Sequence, residues 1–221
     1  MKRYLFICLL PLLLASCRSL TPLNPAEVER VRVACEAARP PPFEARQSWA
    51  IEFQRRWWKS DSRLTARGYA RVEPQTRGYE GVCELTAGGK LFEVVRTNGE
   101  NDVQITTAIF GDPQVAGRII GKDINRLFFD WVPPPDATVS RKGAHLLFRS
   151  RRDQDWIEYE FDILTTRPVG KTIFQNGQLS TVILDDYQYY SSGPYPAVMK
   201  LINHSHRYSL TVRNLAIRPA R

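Results

Sequence analysis

The chain has 221 residues, and its 31 lysines and arginines against 23 aspartates and glutamates give a formal net charge of +8. All-β proteins of about 200 to 250 residues commonly form one domain, so we expect a single domain. The sequence contains no internal repeat and no low-complexity stretch, which excludes a repeat protein, and its basic charge permits contact with anionic lipid headgroups or acidic polysaccharide.

The N-terminus predicts a secretory signal. Lys2-Arg3 precedes an apolar run, Tyr4 to Leu14, that is too short to span a bilayer as a permanent helix. The tetrapeptide Leu14-Ala15-Ser16-Cys17 resembles the lipobox of bacterial lipoproteins, in which the cysteine carries diacylglycerol and becomes the first residue after cleavage. The resemblance implies a signal peptide over residues 1–16, lipidation at Cys17, with palmitate among its acyl chains, and a tether over 17–24. The alternative is an ordinary signal peptide in which Cys17 has no role.

The folded domain is expected over 25–221 and begins with a helix. Asn24-Pro25-Ala26-Glu27 combines a cap, a proline at the first helical position and an acidic residue in the first turn. Three residues, Val28, Val31 and Cys35, fall on one face, and the prolines at 40–42 end the helix.

A strand-rich region follows the prolines. Residues 49–53 alternate like a strand but also fit a helical stripe, and we favour the strand. Further strands are predicted at Leu64–Val72, Tyr79–Thr86, Leu91–Thr97 and Val103–Phe110, with turns at Gly88-Gly89 and Asn98-Gly99. Apolar residues then recur at helical spacing over Asp112–Trp131, which predicts a second helix.

The second half returns to strands. They are predicted at Ala144–Arg149, Asp155–Leu164, Gly170–Gln175, Leu179–Tyr189, Ala197–Asn203 and Arg207–Arg218, with a hairpin turn at Asn176-Gly177. About ten strands and two or three helices predict a mainly β (α+β) fold, a single curved antiparallel sheet that forms an unclosed barrel covered by the helices.

Two cysteines, Cys35 and Cys83, remain in the folded domain. Outside the cytoplasm they form a candidate disulfide between the first helix and a strand, and the alternative is two buried free thiols. Neither alternative makes a metal site, because no further ligands stand at zinc-like spacing. The sequence therefore predicts neither a metal nor a cofactor.

The order of these elements resembles the LolA/LolB-like superfamily of envelope lipoproteins. The resemblance is carried by the N-terminal helix, the two meanders, the helical insert around Gly121–Asn125 and the ending at Tyr195–Leu201 and Tyr208–Val212. In that superfamily helices lie over the mouth of an unclosed barrel, and the hydrophobic concavity receives acyl chains. The resemblance therefore implies an outer-membrane lipoprotein of that superfamily that binds lipid.

The alternation of the strands identifies candidate ligand-cavity residues on the concave face. The same alternation builds any half-buried sheet, so each of them is also a candidate for ordinary core. The candidates are Trp49, Ile51, Phe53, Leu85, Phe92, Val94, Ile105, Ile109, Phe148, Tyr159, Phe161 and Leu210, with Ile124, Leu127 and Phe128 on the covering helix.

A basic and aromatic cluster, Arg55, Arg56, Trp57, Trp58 and Lys59, is a candidate for contact with the membrane surface. The alternative is the end of an element with core-facing tryptophans. Nucleic acid is not expected as a partner, because the compartment is extracytoplasmic. Arg18 stands where, by resemblance to enteric lipoproteins, an aspartate would retain the protein in the inner membrane, so we expect the outer membrane, with the domain facing the periplasm.

Catalytic patterns are weak, and we predict that the chain is not an enzyme. The three histidines form no HExxH arrangement, and Glu158, Glu160 and Asp162 alternate with apolar residues as a solvated strand face does. The predicted function is the binding of a hydrophobic ligand, a lipid or the acyl chains of a lipoprotein, in lipid or lipoprotein trafficking. The alternative is a non-enzymatic structural subunit of an envelope complex, with a packed barrel and a protein partner.

Overall fold

The computed structural model describes residues 22–37, 41–53, 62–97, 100–105, 112–190 and 193–220. These residues form two helices and twelve strands. In chain order the elements are α1 (Pro25–Ala37), β1 (Phe43–Phe53), β2 (Ser62–Glu73), β3 (Gly78–Leu85), β4 (Lys90–Thr97), β5 (Glu100–Ile105), α2 (Pro113–Phe128), β6 (Thr138–Lys142), β7 (His145–Arg152), β8 (Asp155–Asp162), β9 (Pro168–Gln175), β10 (Gln178–Tyr190), β11 (Gly193–Asn203) and β12 (Tyr208–Pro219). Neither of the two helices has the length and apolar character needed to cross a membrane.

One antiparallel sheet contains all the described strands, in the order β5-β4-β3-β2-β1-β12-β11-β10-β9-β8-β7-β6. It consists of two meanders joined by the pairing of β1 with β12, which runs from Phe43 opposite Pro219 to Phe53 opposite Tyr208. The outer strands β5 and β6 do not pair with each other within the described residues, so the sheet is not closed. The predicted fold class, an unclosed antiparallel barrel with covering helices, is confirmed.

The sheet curves around the end of α2. Phe129, directly after that helix, contacts Arg96 of β4 through its ring and Lys171 of β9 through its carbonyl oxygen. Six other strands separate β4 from β9 in the sheet order, so one residue reaches both only because the sheet bends around it. The covered side is therefore the concave side.

Large and small side chains alternate across the concave face. Trp49 lies between Ala66 of β2 and Val212 of β12 in the strand ladder, and its ring contacts Phe92 edge-on at 5.5 Å. These small neighbours leave room for the indole ring, and close packing of this kind excludes water. The chain fills most of the concavity with its own side chains.

Helix α1 covers the end of the sheet formed by β6, β7 and β8. It begins as predicted, because Asn24 Oδ1 accepts a hydrogen bond from Ala26 N at 3.0 Å. Val31 and Cys35 are buried in a cluster with Phe148 and Phe161. A side chain fixes the helix against the sheet, because Arg30 donates a hydrogen bond to the carbonyl oxygen of Ile163 at 2.7 Å.

Helix α2 connects the two meanders and contacts both of them, β5 in the first and β11 in the second. Asp112 caps it by accepting hydrogen bonds from Gln114 N and Val115 N, and Pro113 takes the first position. Its buried face packs Ile124, Leu127 and Phe128 into the main core. The helix predicted at Asp112–Trp131 is thus confirmed with slightly shorter bounds.

Strand β6 is the element that the sequence analysis did not predict. Thr138–Lys142 carries only one apolar residue, Val139, so it has no alternating pattern, and an edge strand with a half-exposed face needs none. The ambiguous segment around 49–53 is a strand, as favoured, and the Asn176-Gly177 turn is present, with both residues at positive φ. The predicted turn at Asn98-Gly99 and the end of the strand predicted at Val103–Phe110 lie outside the described residues.

The close approach of β2 to β3 makes a test of this packing. A Cβ atom at Gly68 would lie 2.2 Å from the carbonyl oxygen of Val82, a backbone atom that cannot rotate away. We therefore expect Gly68→Ala to lower the free energy of unfolding by about 2 kcal/mol, as overpacked sites do. Urea denaturation measures the change. Arg67→Ala, on the exposed face of the same strand, is the control and should change stability by less than about 0.5 kcal/mol.

Candidate ligand cavity

A cavity of about 510 Å³ opens at one end of the concave face, between α1, the segment that follows α2, and strands β10 and β11. Its volume falls in the range of about 300 to 1,000 Å³ that is typical of small-molecule sites. It is lined by Ala34, Cys35, Pro74, Gln75, Arg77, Leu127, Phe128, Phe129, Asp130, Trp131, Val132, Phe161, Thr165, Thr166, Arg167, Pro168, Leu184, Tyr187, Pro194, Tyr195, Pro196 and Met199.

The floor of the cavity is apolar. Leu184 and Met199 face it from paired positions on β10 and β11, and Phe128 closes it from the end of α2. Tyr195 packs its ring on Phe43 at 4.8 Å, which fixes this wall to the central strand β1. Burial raises the pKa of the Tyr187 and Tyr195 hydroxyls, so both stay neutral at physiological pH. The floor therefore suits an uncharged hydrocarbon.

The rim of the cavity is charged. Arg77 Nη2, on the turn between β2 and β3, donates to Asp130 Oδ2 at 2.5 Å across the opening. On the opposite side Arg167 lies over the rings of Tyr187 and Tyr189, at 5.3 and 5.2 Å from their centroids. A ligand in this cavity would thus place its tail among apolar groups and its other end among charged ones.

Lys171 holds the chain that forms the cavity wall. Its side chain is buried, and Nζ donates to the carbonyl oxygen of Phe129 at 2.6 Å and to that of Asp130 at 3.2 Å. The ammonium also lies 4.1 Å from the ring centroid of Trp131. These contacts fix the segment after α2, because they satisfy carbonyl groups that the helix leaves without partners. Burial lowers the pKa of Lys171 to about 7.

Three of the predicted cavity residues, Leu127, Phe128 and Phe161, line the cavity. The others with described side chains belong to the packed interior and do not face it. Trp49, Ile51, Phe92, Val94, Ile124 and Leu210 are buried in the main cluster, Phe53 and Leu85 pack against it, and Phe148 and Tyr159 are buried beside α1. The side chain of Ile105 and the whole of Ile109 lie outside the described residues.

Sequence reasoning missed most of the cavity wall. Leu184, Tyr195 and Met199 stand in strands that were predicted, but the alternation of a strand does not say where a filled interior gives way to a gap. The available signal was the stretch Pro194–Leu201, in which two prolines interrupt an apolar strand. Cys17 and the cluster Arg55, Arg56, Trp57, Trp58 and Lys59 lie outside the described residues.

The two cysteines of the domain are free and buried, so the second of the two alternatives is the one found. Cys35 lies in the cluster under α1, and Cys83 lies in the main core on β3. Each thiol is surrounded by the apolar side chains of a different cluster, which leaves the candidate disulfide unformed. Burial raises the pKa of both thiols to about 12.

The carboxylates of β8 are paired with basic or hydroxyl groups on the outside of the sheet. Glu158 contacts Arg149 at 2.6 Å, and Glu160 Oε1 lies 2.6 Å from His145 Nδ1. Within the described part of the chain no group of three or more His, Cys, Asp or Glu side chains is placed to hold a metal ion. This geometry agrees with a solvated strand face.

Replacement of Lys171 by methionine tests its charge. In the folded protein Lys171 loses its proton near pH 7, whereas in the unfolded chain it keeps the proton to about pH 10.5. Between about pH 7 and 10 the unfolded state therefore binds more protons than the folded state. Because of this difference, the free energy of unfolding rises with pH in that range. Between pH 7 and 9, the free energy of unfolding of wild type should rise relative to that of Lys171→Met by up to about 1.4 kcal/mol per pH unit. Ile202→Met, on the outer face of β11, changes no charge and should show no such trend against wild type.

The state of the thiols is testable by titration. In a chain with Cys8→Ser and Cys17→Ser, we expect a thiol reagent to modify Cys35 and Cys83 only after denaturation, because both are buried and protonated. Absorbance at the end point counts the modified groups. A denatured, unreduced chain that reacts at neither residue would show instead that the two are joined.

Comparisons with known proteins found similar chains among solved structures alone. No protein-family model and no curated protein sequence matches the chain. Among solved structures it is similar to a domain described as an outer-membrane lipoprotein-sorting protein from Vibrio parahaemolyticus, with 13% identity, 87% of this chain and 90% of that one covered, and a TM-score of 0.46. A DUF1329 family protein from Desulfovibrio piger has 6% identity, coverage of 88% and 92%, and a TM-score of 0.49. A LolA superfamily protein from Nitrosomonas europaea has 6% identity, coverage of 87% and 93%, and a TM-score of 0.47.

Proposed function

We propose that the chain is a lipid-anchored protein of the bacterial outer membrane that faces the periplasm and binds a hydrophobic ligand in its open barrel. The ligand is a lipid or the acyl chain of a lipoprotein, and the binding serves lipid or lipoprotein trafficking. The observation that carries the proposal is the cavity of about 510 Å³ with an apolar floor beneath the helices.

The physics of the cavity favours an acyl chain. Apolar surface that leaves water contributes roughly 25 cal/mol per Å², and a hydrocarbon tail between Phe128, Leu184 and Met199 exchanges water for side chains on every side. The cavity is open at its rim, so a tail can enter while a headgroup stays outside. No covalent step is needed, and the proposed activity is therefore binding and not catalysis.

Anchoring is proposed at the N-terminus. Acyl chains on Cys17 would hold the protein firmly, since two chains already suffice for stable attachment to a bilayer. The tether over 17–24 leads into α1, whose residue Ala34 lines the cavity. The cluster Arg55–Lys59 is proposed as an additional contact with the membrane surface, because tryptophan and basic side chains suit the interface.

A second candidate function is that of a non-enzymatic subunit in an envelope complex. It is favoured by one observation, namely that most of the concave face is filled with the chain's own side chains. In this function the edge strands β5 and β6 would pair with a protein partner. Crosslinking in intact cells that captures one protein at β5 or β6, together with an empty cavity, would support it.

Native mass spectrometry of the Cys17→Ser protein, purified from its own envelope without detergent, tests the first proposal. We expect an additional mass that organic solvent extracts, and that mass identifies the ligand. A bare polypeptide that also takes up no added lipid would refute ligand binding and leave the subunit function.

A cavity-filling substitution makes the same test specific. Ala34 lines the cavity, whereas its neighbour Val33 is 56% exposed. A tryptophan at position 34 would therefore meet the cavity, and one at position 33 would meet solvent. We expect Ala34→Trp to reduce lipid uptake at least about tenfold, because the indole occupies the volume that the tail would fill. Val33→Trp should leave uptake unchanged, and displacement of a fluorescent fatty acid measures both. Equal uptake by the two variants would show that lipid binds elsewhere.

A further inference from the structure

Arg96 is a buried cation with unpaired hydrogen-bond donors. It stands on the concave face of β4, is 3% exposed, and its Nε and Nη1 groups have no hydrogen-bond partner. Its guanidinium lies 4.9 Å from the ring centroid of Phe129, a residue of the cavity wall. Buried donors are nearly always paired in folded proteins, so these two groups call for a partner outside the described part of the chain.

The surroundings of Arg96 carry more positive than negative charge. Arg77 and Asp130 form an ion pair at the cavity rim, and both act electrostatically on Arg96. Lys171 approaches the same place from β9, across the concave face, and donates to the carbonyl oxygen of Asp130. Among the described residues Asp130 is thus one carboxylate facing three basic side chains. The excess of positive charge lies beside the opening of an apolar cavity.

We infer that the cavity takes an amphiphile with an anionic headgroup, a carboxylate or a phosphate, which binds at Arg77 and Arg96 while its acyl chain occupies the apolar floor. The inference rests on the proposed function, since it names the class of ligand for the same cavity.

The two arginines explain why the headgroup would be anionic, because a guanidinium forms its strongest hydrogen bonds with an anion. An anion that replaces Asp130 as the partner of Arg77 lies within the electrostatic reach of Arg96 and offers acceptors to its unpaired N–H groups. Asp130 is half exposed, so it can turn to solvent at little cost when the anion enters. A neutral headgroup would have to separate the Arg77–Asp130 pair without supplying a replacement charge. Anionic amphiphiles are therefore selected over neutral ones with the same tail.

Three probes with one tail separate the headgroup from the hydrocarbon. Palmitate carries a carboxylate, lysophosphatidic acid with a palmitoyl chain carries a phosphate, and monopalmitoylglycerol is neutral. Each competes with a fluorescent fatty acid for the full chain carrying Cys17→Ser, after bound lipid has been removed on a hydrophobic resin. We expect one or both anionic probes to bind at least about tenfold more tightly than the neutral one, and the stronger of the two identifies the headgroup.

Variants assign that preference to the two arginines. Arg96→Met keeps the bulk of the side chain and removes its charge, so it should weaken the anionic probes about tenfold and leave the neutral probe unchanged. Arg77→Met, at the half-exposed rim, should act in the same direction and does not disturb the buried core. Arg67→Met, on the exposed face of β2, is the matched control and should change none of the affinities.

The outcomes distinguish this inference from the function on which it rests. Equal affinity for anionic and neutral probes would overturn the inference and leave lipid binding intact. An anionic preference that survives in both Arg96→Met and Arg77→Met would overturn the assignment to these residues. Failure of all three probes to bind would refute the proposed function itself.

Discussion

The pairing of β1 with β12 is the constraint on which the rest of the structure depends. It joins a strand near the start of the domain to the last one, and it runs along the whole of β1 from Phe43 to Phe53. Without it the two meanders would be separate small sheets, each with an open apolar face. Contacts between residues so distant in sequence form late and slowly, because a long loop must be closed first. A buried polar link strengthens the seam, since Gln47 Nε2 donates to Asn214 Oδ1 at 2.9 Å.

The seam also determines where the cavity lies. With β1 and β12 in the centre, β5 and β6 become the two edges, and the chain between them must cross the concave face as α2. The helix fills most of the concavity and stops at Phe128, where Lys171 and the cap at Phe129 hold the departing chain. Beyond that point α1 is the one described helix that reaches the gap over β10 and β11. The gap is therefore a consequence of where α2 ends, and α1 covers it only from one side.

The sequence predicted the architecture well and the site poorly, for a physical reason. Alternation reports which face of a strand is buried, and this identified the concave face and the helix that covers it. It does not report whether the buried face meets another side chain or a gap, which depends on packing between distant strands. The same rule made Trp49 and Leu127 equal candidates, although only Leu127 lines the cavity. A charged residue on an otherwise apolar strand face is a more useful signal. Phe92, Val94 and Arg96 share the buried face of β4, and Arg96 breaks its apolar pattern.

Charged groups inside the barrel argue that its interior is shaped by more than stability. An unpaired buried donor costs about 1 to 3 kcal/mol, and an apolar side chain of similar size at position 96 would avoid that cost. Lys171 stabilises the end of α2 through hydrogen bonds, whereas Arg96 only stacks on the Phe129 ring, and its Nε and Nη1 groups have no hydrogen-bond partner among the described residues. A ligand that supplies the missing acceptors converts this cost into affinity, and its binding stabilises the folded state in proportion to the logarithm of its concentration. The barrel would then be least stable when empty, because the ligand supplies acceptors that the described residues do not offer to Arg96.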